Sequence, residues 1–234
     1  MNLPALDRRL PALLLALTAV TGFVDAVSYV ALGHVFTANM TGNVVFLGFA
    51  IAAVPGLSIG RSGAALGAFA LGATIGGGLT ARMGSGPRHC WTSLAFSMEA
   101  ALLLAAAAVA VGDGNDLLRD PARLYGVIAL TGVAMGVRNA AVRKLAERDL
   151  TTTVLTLTIT GLAADSSLAG GANPGWTRRA ASVVLMFAGA AAGALLLRYS
   201  VALPIAVAGA ISGLCALGAR LAGSGSAGSR ELPS

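Results

Sequence analysis

Long apolar runs alternate with short polar breaks along this chain. A bilayer takes about 20 consecutive apolar residues to cross as a helix. Runs of that order lie at about 11–33, 62–82, 90–112, 121–142, 179–198 and 201–222. Each is predicted to be a full transmembrane helix. Two further segments, about 37–55 and 150–167, are apolar but rich in threonine and broken by polar residues. The expected fold is therefore an all-α integral membrane protein of six full spans plus two short or interrupted segments, six to eight crossings in all. Residues 1–222 read as one polytopic domain, and the Gly/Ser tail at 223–234 reads as disordered.

The first interrupted segment, "HVFTANMTGNVVFLG" at 34–48, places Thr37, Asn39, Thr41 and Asn43 at every second position and then turns apolar. Gly42 and its polar neighbours predict a helix start or a break. Backbone groups left unpaired at membrane depth are tolerated only against protein or water, and Thr and Asn side chains supply such partners or bind a ligand. A helix N-terminus near Thr41 would also favour an anion.

The chain resembles itself at an offset of 114 residues. "GFVDA" from Gly22 falls on "GVRNA" from Gly136, so Asp25 matches Asn139. With one residue inserted, "ANMTGN" falls on "TVLTLT", and Thr41 matches Thr156. Halves at about 10–112 and 121–222 are expected to form a two-fold internal repeat, as transporter folds often do.

Charge tests the number of crossings. Eight crossings with the N-terminus inside divide the 16 Lys and Arg into nine inside and seven outside. Six crossings leave only Arg61, Arg119, Arg123 and Arg198 outside, so twelve of the 16 lie inside. The positive-inside bias favours six crossings, inverted halves and a cytoplasmic N-terminus. Arg8 and Arg9 before the first run imitate a secretory signal, but the run is too long for one and is expected to be retained.

Composition agrees. The chain is 56% hydrophobic and 11% charged, against roughly 25% charged in soluble domains. Its net charge of +6 is spread between apolar runs, so no nucleic-acid partner is implied. Cys90 and Cys215 have no metal spacing and read as small apolar side chains. Glycines four apart at 63/67, 72/76, 132/136, 189/193 and 209/213 predict close helix packing.

Polar positions inside the spans carry the candidate chemistry. Thr18, Thr21, Gly22, Asp25, Ser28 and Tyr29 share one helical stripe. A lipid-facing carboxylate costs roughly 2.5–3.5 kcal/mol near mid-span, so Asp25 is expected to face protein or water. Its role is either binding of a proton or substrate, or structural hydrogen bonding between helices. Glu99 poses the same problem in the span 90–112. Asn139 keeps the hydrogen bonds of a carboxylate without its charge. Arg138 and Asp165 lie nearer predicted ends, where long side chains snorkel; a salt bridge from Arg138 to Asp25 or Glu99 is the other option. "GLSIG" at 56–60 matches a nucleophile elbow, but no strand precedes it and the chain has only two histidines. No enzymatic centre and no cofactor are expected.

The run "TGFVDAVSYVALGHVFTANMTGNVVFLGFA" at 21–50, with "GVRNAAVRKL" and "TTTVLTLTITGLAAD" later, resembles the signature of the YoaK-like family of bacterial inner-membrane proteins. The resemblance covers roughly residues 10–220. It implies Asp25, Ser28, Tyr29, Asn39, Thr41, Gly42 and Asn43 as family positions, with Arg138, Asn139 and Thr156 in the second region. Leu157 stands where the resemblance leads one to expect glycine, which would confine a flexible break to the first half. The expected function is a small-molecule permease or secondary transporter of the bacterial inner membrane. Asp25 would be its binding or coupling group, and the other family positions with Glu99 would line the site. The alternative is a non-transporting structural or regulatory membrane protein. The lipid bilayer and an unknown small molecule or ion are the implied partners, and a homo-oligomer is compatible with the sequence.

Overall fold

The computed structural model describes residues 5–83, 86–112, 117–145 and 155–224. The described residues are helical, with eight α-helices: α1 (Ala5–Ala31), α2 (Met40–Ile51), α3 (Ile59–Met83), α4 (Arg88–Ala110), α5 (Pro121–Leu145), α6 (Leu155–Ala164), α7 (Trp176–Leu196) and α8 (Ala202–Ser224). The six long ones are apolar and long enough to cross a membrane. They coincide with the six predicted spans. The first starts earlier than predicted, at Ala5 rather than residue 11. Pro11 lies one and a half turns into it, near enough to the start that it removes only an early helical hydrogen bond. The C-terminal tail lies outside the described residues beyond Ser224.

End contacts fix the direction of each helix. Asp7 at the start of α1 pairs with Arg88 at the start of α4, 3.0 Å apart. Arg88 also donates to the Leu145 carbonyl at the end of α5, at 3.1 Å. These ends, and the end of α8 where Gly223 abuts His89, gather on one face, here the N-face. On the opposite face Gly33 lies against Arg61 and Leu118. There Arg123 also caps the end of α4 by donating to the Val109 and Ala110 carbonyls at 3.1 and 2.9 Å. So α1 and α4 run away from the N-face, while α3, α5 and α8 run toward it.

Close helix pairs follow glycine. A methyl on Gly22 of α1 would strike the Met186 carbonyl and the Ala190 nitrogen of α7. A methyl on Gly136 of α5 would strike the Phe69 carbonyl and the Ala73 nitrogen of α3. Such backbone-to-backbone approach is how small residues join helices where lipid supplies no hydrophobic drive. The successive contacts Ala19 to Gly189 and Phe23 to Gly193 set α7 parallel to α1, so α7 starts at the N-face. Gly63 and Gly67 break the expectation: both face open space. α1 and α5 are the most buried spans and α3 and α7 the least. α8 and α4 complete the centre, α8 against α1 and α4 against α5.

These directions answer the question about the interrupted segments. α1 ends and α3 begins on the same face, so residues 32–58 leave and return there. α5 ends and α7 begins at the same face, the N-face. At 1.5 Å per residue, α2 is about 18 Å long and α6 about 15 Å, against roughly 30 Å of hydrocarbon. Neither crosses. α2 packs on α3 and α6 on α7.

Candidate functional site

Between α1 and α5, which make little direct backbone contact, lies a polar core. Glu99 is the middle residue of α4, and both it and Arg138 of α5 have no solvent exposure. Arg138 Nη1 donates to Glu99 Oε1 at 3.0 Å and to the Leu17 carbonyl at 3.0 Å. Its Nη2 donates to Thr21 Oγ1 at 2.6 Å. Ser212 Oγ of α8 donates to the same Glu99 oxygen at 3.1 Å. One network therefore ties α1, α4, α5 and α8. Snorkelling of Arg138 does not occur. The reason is that its guanidinium finds a carboxylate, a carbonyl and a hydroxyl inside, in the fork geometry that suits arginine.

Asp25 sits beside this network, within electrostatic reach of Arg138. The chain reaches it by doubling back. Gly33, at φ 80°, ends α1 in the left-handed region, and His34 N–H bonds back to the Tyr29 carbonyl at 3.1 Å, a Schellman closure. His34 follows at φ 60°. The loop then re-enters the bundle and brings the Ala38 backbone, just ahead of α2, close to the Asp25 carboxylate. Asp25 Oδ1 is buried and has no hydrogen-bond partner among the described residues. Thr37 Oγ1 on the same loop, Thr92 Oγ1, Glu99 Oε2 and Arg138 Nε are likewise buried without partners.

Asn43 holds the loop in place. Its Oδ1 accepts the Phe36 N–H at 2.9 Å and its Nδ2 donates to the Phe36 carbonyl. One side-chain amide thus satisfies both backbone groups of a residue at membrane depth. The Phe36 ring stacks between Tyr29 and Phe46, with centroids 5.4 and 5.6 Å away. Gly42 leaves room for that ring: a methyl there would lie 2.7 Å from Phe36. The expected helix start falls at Met40, and Gly42 is a contact inside a continuous α2 rather than a break; the reversal falls at Gly33 and His34.

The predicted residues divide into two groups. Asp25, Ser28, Asn43, Glu99 and Arg138 are buried and converge on the centre or its loop. Asn139 is half-buried and donates to the Met135 carbonyl at 2.7 Å. Tyr29 is partly exposed within the aromatic stack, and Asn39, Thr41 and Thr156 stand at the surface. The alternation at 37–43 suggests one face, but α2 is helical from Met40, which turns Thr41 away while Asn43 points in. Ser212 and Thr158 are buried polar residues outside the predicted set, and Thr37, named with the alternating segment, is buried as well. Ser212 carried a signal, an isolated hydroxyl within the α8 run. Asp165 pairs with Arg179 at 2.7 Å near the N-face. "GLSIG" runs from a loop into the start of α3, where Ser58 Oγ accepts the Arg61 N–H at 3.3 Å, the role of a helix cap.

Residues 13–218 match the family described as Protein of unknown function (DUF1275). The chain belongs to this family. It is 36% identical over 157 residues to the UPF0700 transmembrane protein YoaK of Bacillus subtilis (strain 168). That alignment covers 66% of this chain and 65% of the relative, so the match spans just under two thirds of the relative's length. No solved structure matches. Membership and the six apolar helices establish a multi-pass membrane protein.

Proposed function

We propose that this protein is a small-molecule permease or secondary transporter, built of two inverted halves, with Asp25 as its binding or coupling carboxylate. One observation carries the reading: a carboxylate oxygen buried inside the bundle, without a partner, beside a re-entrant loop. Glu99 and Arg138 also keep one open atom each, but they neutralise one another, whereas Asp25 stands outside that ion pair; a buried polar group left open calls for an explanation. Re-entrant and broken helices at the meeting of two halves are where transporters hold their cargo.

The inverted repeat has its own support. α1 and α5 run in opposite directions, as do α3 and α7. Gly22 to Gly136 is a step of 114, while Phe69 to Met186, Gly72 to Gly189 and Ala73 to Ala190 are each a step of 117. Those steps carry the atoms around Gly22 onto those around Gly136. The four outward basic residues, Arg61, Arg119, Arg123 and Arg198, lie at or beside the ends of spans away from the N-face. This supports a cytoplasmic N-terminus in the bacterial plasma membrane.

The second reading, a structural or regulatory membrane protein, draws on the Glu99 and Arg138 network, which joins four helices as a brace would. The test is electrophysiology on protein reconstituted on a solid-supported membrane, against a panel of amino acids, sugars, organic acids and inorganic ions. Transient currents are expected for at least one class, and Asp25→Asn should abolish them while the protein still melts cooperatively in detergent. Currents unchanged in Asp25→Asn would remove Asp25 from the role; a variant that only melts lower, in a protein silent to the whole panel, favours the brace.

A further inference from the structure

Charge balance in the core points to the ion. Among the described residues, the buried Asp, Glu, Lys, Arg and His side chains are Asp25, Glu99 and Arg138. With all three ionised the core holds one uncompensated negative charge. An unpaired charge away from water is strongly unfavourable, and such groups neutralise instead. Arginine does not give up its proton in proteins, so one of the carboxylates must gain a cation.

The hydrogen bonds say which one. Glu99 Oε1 receives two donors, Arg138 Nη1 and Ser212 Oγ. That is the environment of an ionised carboxylate. Each carboxylate keeps one bare oxygen, Glu99 Oε2 and Asp25 Oδ1. What separates them is that Glu99 holds the ion pair with Arg138, while Asp25 has the Ala38 backbone close by and no ion pair among the described residues. The two Nη atoms of Arg138 bond to Glu99, Leu17, Thr21 and Met135 instead. The charged groups that face Asp25 are Arg138 from α5 and, behind it, Glu99 from α4. α7 and α8, which also pack on α1, bring the buried hydroxyls of Ser182 and Ser212 and no buried charge.

We propose that Asp25 Oδ1 carries the single proton that neutralises the core, and that this proton is the coupling ion of the transporter. The second half of that statement rests on the function proposed above; the first does not. A metal cation fits less well. Hard cations gather about six or more oxygens, whereas the unpartnered oxygens offered on this side are Asp25 Oδ1 and the Thr37 hydroxyl.

Infrared difference spectroscopy of the full chain in liposomes near neutral pH tests this. A protonated-carboxyl C=O band that shifts in D2O is expected at about one equivalent per chain. It should vanish in Asp25→Asn, return at a shifted frequency in Asp25→Glu, and persist in Glu99→Gln. The two Asp25 variants decide the assignment even if Glu99→Gln does not fold. No band, a band that survives Asp25→Asn, or a band seen only when choline replaces sodium would each overturn it. The last would give the site to sodium. No substrate or flux enters the measurement, so a chain that transports nothing still yields the answer, and the two proposals fail separately.

Discussion

The stretches before and after residue 112 make similar glycine contacts and differ in chemistry. Each sends a buried central helix through the bundle, follows it with a short helix that does not cross, and seats a glycine-lined helix against the other half's central one. Yet the first half brings both carboxylates, Asp25 and Glu99, while the second brings Arg138, Ser212 and the neutral Asn139. The first re-entrant loop is clamped at depth by Asn43 and passes close to Asp25. In the second half the short helix α6 buries Thr158, and Asp165 just after it pairs with Arg179 near the N-face. Similar backbone packing therefore does not require shared chemistry: glycines set the close contacts, and a few side chains place both buried carboxylates on one side.

The strongest way to break this comparison is to remove the second half's cation. Arg138→Gln leaves Glu99 buried without its ion partner and is expected to lower stability by about 3–5 kcal/mol, read as detergent melting. Arg138→Met with Glu99→Met should recover most of the loss, because two apolar side chains leave no orphaned charge. Next come the glycines. Gly22→Val and Gly136→Val each drive a side chain into facing backbone, with expected losses of about 1–3 kcal/mol apiece. Nearly equal melting shifts would sharpen the likeness of the two frames; a harmless Gly136→Val would break it.

The clamps should then separate the halves. Asn43→Ala strands both backbone groups of Phe36 and is expected to cost about 1–3 kcal/mol, together with faster hydrogen exchange across 34–40. Thr158→Ala removes one hydroxyl and should move the melt by less than half as much. The smallest effect belongs to the pair near the N-face. Asp165 is about half exposed, so Asp165→Asn is expected to change stability by about 0.2–1 kcal/mol, and less in high salt.

Much of this was legible in the sequence, because bilayer thickness and apolar run length are linked by simple geometry. The six spans and the two short elements follow from that, and the basic residues chose six crossings over eight. Asp25 and Glu99 were legible as carboxylates that had to face inward. Partner choice was not. Arg138 lies seven residues from the end of α5, near enough to suggest snorkelling, and only the approach of α4 shows where its guanidinium goes. Thr37 and Asn43 were legible as polar residues in an apolar setting, but Asn39 and Thr41 carried the same signal and point outward. Which of four alternating residues turns inward depends on where the helix begins, and that is set at Gly33 by a backbone angle that residue pattern alone does not fix.

The pairing of α1 with α7 bears on how the protein is made. The 144 residues from 32 to 175 separate the two helices. At the usual 5–20 residues per second, a ribosome needs about 7–30 s to deliver the second after the first. During that interval Gly22 has no backbone to rest against and Asp25 waits without its finished surroundings. Synthesis order thus leaves the contact at Gly22 to be closed by one of the last helices to leave the ribosome.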